Sequence, residues 1–483
     1  MNERRLLAII LGFSAFRLAV APGFQLFPQE AYYDLYARHL ALSYFDHPPM
    51  IGWLLWCFTA VFGQHAWVLR LSAFCLSAIT QLLLWKLIHE AVAPERRVPA
   101  LLLLVTPLMS VVSLISTPDV PLLLFSSATL LGLWRAFQGP EKSRPLAWLA
   151  AGVAAGLAFD SKYTALFLPA GAFLLLLDPL HRRQLRSPWP YLAALVAAAV
   201  TAPVWIWNAR HDFVSLRFQT VARAEMMTHF RFRHFGSLLT TQTFLLGVLF
   251  VILLWEALRL PWRLRKIPAE RRAATVFFAA FSVPPILILV LLSAFLLIKA
   301  NWLEPFYLAG IPFVALSWSR PERLVMPTLG WSVLAQALAA VELLLAPFPI
   351  RTADTCFGWR ELAAAVAPLR SPDEFVFSGE SYKTAAELEF YGGQKVYAGD
   401  LIGRPAFEYP YLGDDLSKLR GKDAIFVDPE TAWRDEEPAL RPPRDLAARF
   451  ASVTQLEPLL VRRNGRLLRK FWLWHCHDYL GPP

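Results

Sequence analysis

Residues 30–50 read Glu-Ala-Tyr-Tyr-Asp-Leu-Tyr-Ala-Arg-His-Leu-Ala-Leu-Ser-Tyr-Phe-Asp-His-Pro-Pro-Met. Three carboxylates (Glu30, Asp34, Asp46), two imidazoles (His39, His47) and one guanidinium (Arg38) fall between long apolar runs that are almost free of charge. Apolar runs of about 20 residues are the length a bilayer core demands of a helix. Acids gathered where such a helix leaves the membrane mark a functional site. The chain therefore reads as a polytopic α-helical membrane protein holding this loop at the membrane surface.

The composition agrees. Of 483 residues, 56% are hydrophobic and only 17% charged, against about a quarter charged in soluble domains. The 18 Trp and 35 Phe suit aromatic belts at two interfaces. Candidate spans are 6–25, 66–88, 98–116, 120–137, 146–160, 163–178, 189–207, 237–259, 274–298, 304–318 and 325–346, an expectation of about 11–13 transmembrane helices. The apolar stretch 50–62 is too short to span and reads as an interfacial helix. The start, Met-Asn-Glu-Arg-Arg and an apolar run, resembles a signal sequence but is read as an uncleaved first span.

Six basic loops, among them Arg96-Arg97, Lys142 with Arg144, and Arg263 to Arg272, fall on one side, which the positive-inside rule makes cytoplasmic. Loop 26–65 and the C-terminal region then lie outside. The net charge of +10 follows from these short loops, so nucleic acid is not expected as a partner. Loop 208–236 breaks the rule, with Arg210, Arg217, Arg223, Arg231 and Arg233 on the outer side. Either a long loop tolerates the charge, or these guanidinium groups hold an anion, for which their fixed charge and paired donors are suited.

Beyond 346 the long apolar runs stop. Glu374–Phe377 and Ala424–Val427 read as strands and 381–391 as a helix ended by Gly392-Gly393. Residues 1–346 are thus expected to form the membrane domain, with outer loops 26–65, 117–119 and 208–236. Residues 347–483 are expected to form a small extracytoplasmic α/β domain. Cys356 and Cys476 both fall there and are able to pair if it lies outside the cytoplasm. Cys57 and Cys75 read as inert core residues.

No phosphate-binding glycine loop, zinc-type cysteine pairing or Gly-x-Ser-x-Gly elbow appears. The outer histidines offer a divalent metal a pair, His211 with His229 or His234, without tight ligand spacing, so no metal residue is assigned. Glu30 is placed to act as a general base, or else to stabilise its own helix N-terminus. Each expected outer turn carries polar groups: Thr117-Pro118-Asp119, Ser161-Lys162-Tyr163-Thr164, and Lys299-Ala300-Asn301 with Glu304. Side chains from these turns are expected to converge, with Glu30, Asp119, Lys162 and Arg217 in one pocket.

Taken together, Glu30-Ala-Tyr-Tyr33, Tyr44-Phe-Asp-His-Pro-Pro-Met50, Thr117-Pro-Asp119, Ser161-Lys-Tyr-Thr164, and Trp207-Asn208 with His211 and Ser215-Leu-Arg-Phe-Gln219 resemble the bacterial membrane glycosyltransferases of family 39, of the GT-C fold. That group includes lipid A aminoarabinose and galacturonic acid transferases and protein O-mannosyltransferases. The resemblance implies a sugar donor linked to polyprenyl (undecaprenyl) phosphate and an acceptor that is an envelope lipid or glycan, less readily a protein. It implies inverting transfer at the outer face of the bacterial inner membrane. It makes Glu30, Asp46 and Asp119 the candidate catalytic acids. His47, Lys162, Arg210, His211 and Arg217 become candidates for the donor phosphate. Tyr33, Asp34, Tyr163, Asn208, Gln219 and Asn301 become candidates for the cavity wall. The family's usual Asp-Glu pair is here Gln29-Glu30, and a carboxamide takes no proton. Glu30 is the leading base, with Asp46 or Asp119 as substitutes, unless the acceptor is already ionised. A transporter of the lipid-linked sugar and a non-catalytic homologue stand as alternatives.

Overall fold

The structure, a computed structural model, describes residues 1–179, 181–225, 229–348, 354–429 and 441–483, with the side chains of 222–225 outside the description. The chain forms two compact units that interleave along the sequence. The first comprises Met1–Ala19, His47–Ile51 and Arg70–Ala339. The second comprises Val20–Asp46, Gly52–Leu69 and Ala340–Pro483. The first loop therefore groups with the C-terminal region rather than with the helices that flank it in sequence.

Among the described residues the regular structure of the first unit is all helical. Every one of the eleven expected spans is helix. Among the described residues five are long and apolar enough to cross a membrane unaided: Glu3–Gly23, Ala66–Ala91, Asp119–Gln138, Ala269–Leu292 and Pro321–Leu345. Three more are pairs bent by 51°, 45° and 118°, so eight spans result if each pair counts once. Of the remaining three, Tyr163–Leu177 and Glu304–Ser317 are short, and Arg144–Ser161 has 18 residues but is less apolar. The bends have local causes. Thr106 and Pro107 end one helix and begin the next, because proline lacks the N–H that would continue the ladder. Gly247 turns the chain at φ +62°, and a Cβ there would meet Trp331 at 2.8 Å, so the sharpest bend needs glycine.

Small residues let the helices approach closely. A Cβ on Gly152 would lie 2.4 Å from the Ala193 carbonyl, and one on Gly156 2.6 Å from Val200. Without a hydrophobic drive between helices in lipid, such backbone contacts carry much of the packing. A polar seam adds to it: buried Arg17 donates to Ser110 (3.0 Å) and Ser113 (3.3 Å), and Ser110 donates to Gln336 at 2.5 Å. Among the described residues of the expected loop 208–236, Val214–Glu225 is helix and Phe232 opens the helix Phe232–Leu246.

The second unit is built on a mixed sheet: β1 (Phe375–Ser378), β2 (Val396–Tyr397), β3 (Ala424–Pro429), β4 (Phe450–Gln455), β5 (Leu459–Arg463) and β6 (Arg466–Tyr479). The strand order is β2-β1-β3-β6-β4, with β5 also on β6. β1 runs parallel to β2 and β3, and the remaining pairings are antiparallel. The expected strands are β1 and β3, and the expected helix is Lys383–Gly392, ended by Gly393 at φ +65°. One face buries Phe375, Phe377, Phe426, Phe450, Trp472, Trp474 and Tyr479. The helices Pro28–Arg38 and Lys383–Gly392 pack together, and the helix Met50–Phe62 keeps Trp56, Val61 and Phe62 exposed.

Cys356 and Cys476 are buried and free, so they do not pair. Each sits in its own apolar cluster, Cys356 with Val20 and Phe24, and Cys476 in the sheet core. Cys57 is exposed and Cys75 half-buried, so neither is a core residue.

Asp400 gives this unit a pH signature. Burial pushes its carboxyl up to about 6, and its Oδ1 has no partner among the described residues. The folded state therefore holds this proton more tightly than the unfolded chain. The stabilisation is full below about pH 4 and is lost as pH rises through 6. Asp400→Asn is expected to stabilise the chain by about 1–2 kcal/mol at pH 7.5, allowing for partial exposure, and to be neutral near pH 4. Urea denaturation at both pH values checks this.

Candidate active site

Three helix ends of the first unit bring Asp119, Lys162 and Asn301 together. Asp119 opens the helix Asp119–Gln138, Lys162 follows the helix Arg144–Ser161, and Asn301 lies in the short turn Ala300–Trp302. The Lys162 ammonium donates to Asp119 Oδ1 at 2.5 Å, and the Asn301 amide donates to Oδ2 at 2.7 Å. Both partners of the ion pair are buried, Asp119 3% and Lys162 6% exposed. A buried pair of this kind holds only with good geometry and further hydrogen bonds, and Asn301 supplies one. Glu304, also buried, is within electrostatic reach of Asp119 and Lys162. Its Oε2 has no hydrogen-bond partner among the described residues.

An ammonium carries three donors. Asp119 takes one, leaving two able to meet the oxygens of an anionic group. Beside Lys162, the Tyr163 hydroxyl lies 2.7 Å from Ser215 Oγ. Asn208 is buried; it donates to the Val204 carbonyl at 3.0 Å and accepts from Leu216 N–H at 3.4 Å. It thereby ties the helix Ala202–Arg210 to the helix Val214–Glu225 that carries Ser215. His211 stacks on Trp207 with ring centroids 4.1 Å apart and bonds its carbonyl at 2.8 Å. Gln219 is half-buried.

Arg210 and Arg217 are exposed and make no ion pair among the described residues, so they stand outside the Asp119–Lys162 contact. Arg223 lies outside the described side chains. No metal-binding group of three or more donors involves His211, His229 or His234 among the described residues. His47 is half-buried at the Pro48-Pro49 turn.

The acids of the first loop belong to the second unit. Glu30 is fully buried and accepts from the Phe27 N–H at 3.0 Å, capping its own helix. Gln29 donates to Asp354 at 3.0 Å. Asp46 accepts from the hydroxyls of Tyr32 (2.9 Å) and Tyr36. Beneath it Tyr36 stacks on Tyr44 at 3.7 Å, and Tyr33 packs edge-on against Tyr36. Glu408 accepts from the Phe45 N–H at 2.6 Å. Burial, with the charge of Asp46 beside it, pushes Glu408 well above the carboxylate range, against the pull of that N–H. Asp34 accepts from Arg38 at 3.0 Å and from Gln64 at 2.7 Å. Burial raises its carboxyl while Arg38 pulls it down. Arg38 also pairs with Glu389, beside a cleft of about 360 Å³ lined by His39, Gln64 and Lys395.

The unassigned participants are Glu304, Ser215 and Glu408. Glu304 was visible as an acid at a helix start, beside Asn301. Ser215 opens the Ser215-Leu-Arg-Phe-Gln219 motif. Glu408 carried no local signal.

Known proteins show the family of the chain. The family described as dolichyl-phosphate-mannose-protein mannosyltransferase matches residues 46–207. The lipid A galacturonosyltransferase RgtD of Rhizobium johnstonii is 30% identical over 353 residues, covering 71% of this chain and 72% of that protein. The chain belongs to the GT-C membrane glycosyltransferases of family 39. Over a shorter reach, 169 residues, this glycosyltransferase is 29% identical to the undecaprenyl phosphate-alpha-4-amino-4-deoxy-L-arabinose arabinosyl transferase of Pseudomonas savastanoi pv. phaseolicola, covering 34% of the chain and 31% of the relative. Its fold matches the crystal structure of ArnT from Cupriavidus metallidurans, with a TM-score of 0.63, 15% identity and 97% of each chain covered. ArnT bound to undecaprenyl phosphate gives a TM-score of 0.62 at 16% identity over 98% of each chain. The glycosyltransferase thus shares that fold from end to end.

Proposed function

We propose that this glycosyltransferase moves a sugar from undecaprenyl phosphate to a lipid A-type glycolipid on the periplasmic face of the bacterial inner membrane, where its C-terminal sheet also lies. The single observation carrying this reading is the buried Asp119–Lys162–Asn301 contact at the ends of three helices. Support for the donor and acceptor comes from the lipid A galacturonosyltransferase and from the arabinosyl transferase named for its undecaprenyl phosphate donor.

In the proposed step an acceptor oxygen attacks the anomeric carbon. The bond from that carbon to the phosphate oxygen breaks with inversion, and undecaprenyl phosphate leaves as an anion. Lys162 meets the negative charge developing on the phosphate, a preorganised stabilisation of the kind that dominates such transfers. Asp119, itself fixed by Asn301, holds Lys162 in place. Tyr163, Asn208 and Ser215 shape the adjoining wall.

The three acids that the sequence singles out are already engaged, Glu30 by its own helix, Asp46 by two phenols and Asp119 by Lys162, and Glu304, whose Oε2 has no partner among the described residues, is the one acid at the contact left to take a proton. We infer that the acceptor oxygen is ionised before attack, as a phosphate is, so no strong base is needed. Glu30→Gln, which keeps a cap acceptor, is then expected to sustain turnover. A fall of about 10²–10⁴-fold, the contribution of a general base, would restore Glu30 to that role.

The deciding experiment is mass spectrometry of lipid A and other envelope lipids from cells with and without the protein. Loss of a single sugar from a lipid A species is expected. An unchanged lipid profile with altered glycoproteins would move the acceptor to protein, and no change in either would sink the reading.

A further inference from the structure

We propose that the end of the C-terminal sheet holds a divalent transition-metal ion of the zinc class on His475, His477 and Asp423. The site lies within the second unit and is independent of the transfer reaction.

The sheet's register builds the cluster. Residues two apart on a strand face the same way, so His475 and His477 of β6 share a face. Ala424 of β3 pairs with Cys476, and Asp423 is one residue before it. Phe375 of β1 pairs with Ala424, which sets Glu374 next to Asp423. One donor atom from each of Asp423, His475 and His477 lies within 4.8 Å of the other two, and all three residues are partly exposed.

The spacing suits a metal. Bonds of about 2.0–2.1 Å in a tetrahedral zinc site separate neighbouring donors by about 3.3 Å. His477 Nδ1 and Asp423 Oδ2 are 3.0 Å apart, and the two imidazole centroids are 4.2 Å apart. The Asp478 N–H holds Asp423 Oδ1 at 2.8 Å and fixes that carboxylate. Glu374 Oε1 lies 2.8 Å from His475 Nε2. A ligating histidine characteristically gives its second ring N–H to a carboxylate, which sets its tautomer and orientation. Glu374 provides that carboxylate. Two imidazoles and one carboxylate favour zinc, copper or nickel over calcium or magnesium. Partial exposure lets water fill the fourth position. The ion would clip the ends of β1, β3 and β6 together and stabilise the fold by mass action.

The test uses the full-length protein in detergent, purified through a tag without histidines, stripped with chelator and titrated with Zn²⁺ and Co²⁺. One equivalent of either metal is expected, with visible d–d bands for Co²⁺ and a higher Tm with Zn²⁺. His475→Ala/His477→Ala should lose both the equivalent and the Tm shift while melting like the metal-free wild type. Glu374→Gln should weaken binding about 10–100-fold. A wild type that takes up no stoichiometric metal, or a double variant that keeps it, overturns the proposal and leaves ordinary histidine–carboxylate hydrogen bonds.

Discussion

Lys162→Ala is expected to lower kcat for sugar transfer by about 10²–10³-fold, the loss seen when one preorganised group facing developing charge is removed. The loss alone is ambiguous, because the variant leaves Asp119 buried without its cation, which costs about 3–5 kcal/mol. A second variant separates the two effects. Lys162→Ala/Asp119→Asn removes both charges, and the new amide keeps an acceptor for Asn301. If Lys162 serves only to neutralise Asp119, the double variant recovers both stability and transfer. If Lys162 meets the phosphate, stability returns and transfer does not. Melting curves and turnover with an undecaprenyl-phosphate-linked sugar, measured side by side, decide between them.

Trp474→Ala is expected to destabilise the second unit by about 3–5 kcal/mol, the usual cost of emptying a large aromatic site in a packed core. Trp474 is 2% exposed in the middle of β6, which bonds to β3, β4 and β5. Its cavity would open among Phe426, Phe450 and Trp472, none of which can swing in without leaving its own strand position. The indole N–H has no partner among the described residues. Trp474→Phe therefore forfeits volume but no hydrogen bond, and should cost less than half as much. Urea denaturation of the full chain, read by limited proteolysis of the C-terminal region, measures both.

What the sequence disclosed follows the range of the forces involved. Long apolar runs are a local property, and all eleven expected spans are helical. Their bends are not local in the same sense. Pro107 and Gly247 were present to be read, but the angles of 51° and 118° depend on what each half packs against. Asp119, Lys162 and Asn301 were each legible as polar residues at helix ends. Their meeting joins positions 43 and 182 residues apart, which no spacing rule reaches. The arginines of 210 and 217 stood out by charge, yet they are exposed. The hairpin of β5 and β6 is marked in the sequence by Asn464-Gly465, both at positive φ, the pair a tight two-residue turn requires. The metal-type cluster followed the same course, since His475-x-His477 becomes a site only when β3 brings Asp423 alongside.

The interleaving of the two units limits how such enzymes can be recombined. A chimera joined once, at residue 346, would set the helix Pro28–Arg38 of one parent against the helix Lys383–Gly392 of the other. The Arg38–Glu389 pair and the Phe45–Glu408 bond would then each have partners of different ancestry. Grafts that carry residues 20–46 and 52–69 along with the C-terminal part keep those pairs intact. The second unit is inherited through three separate stretches of the gene rather than one.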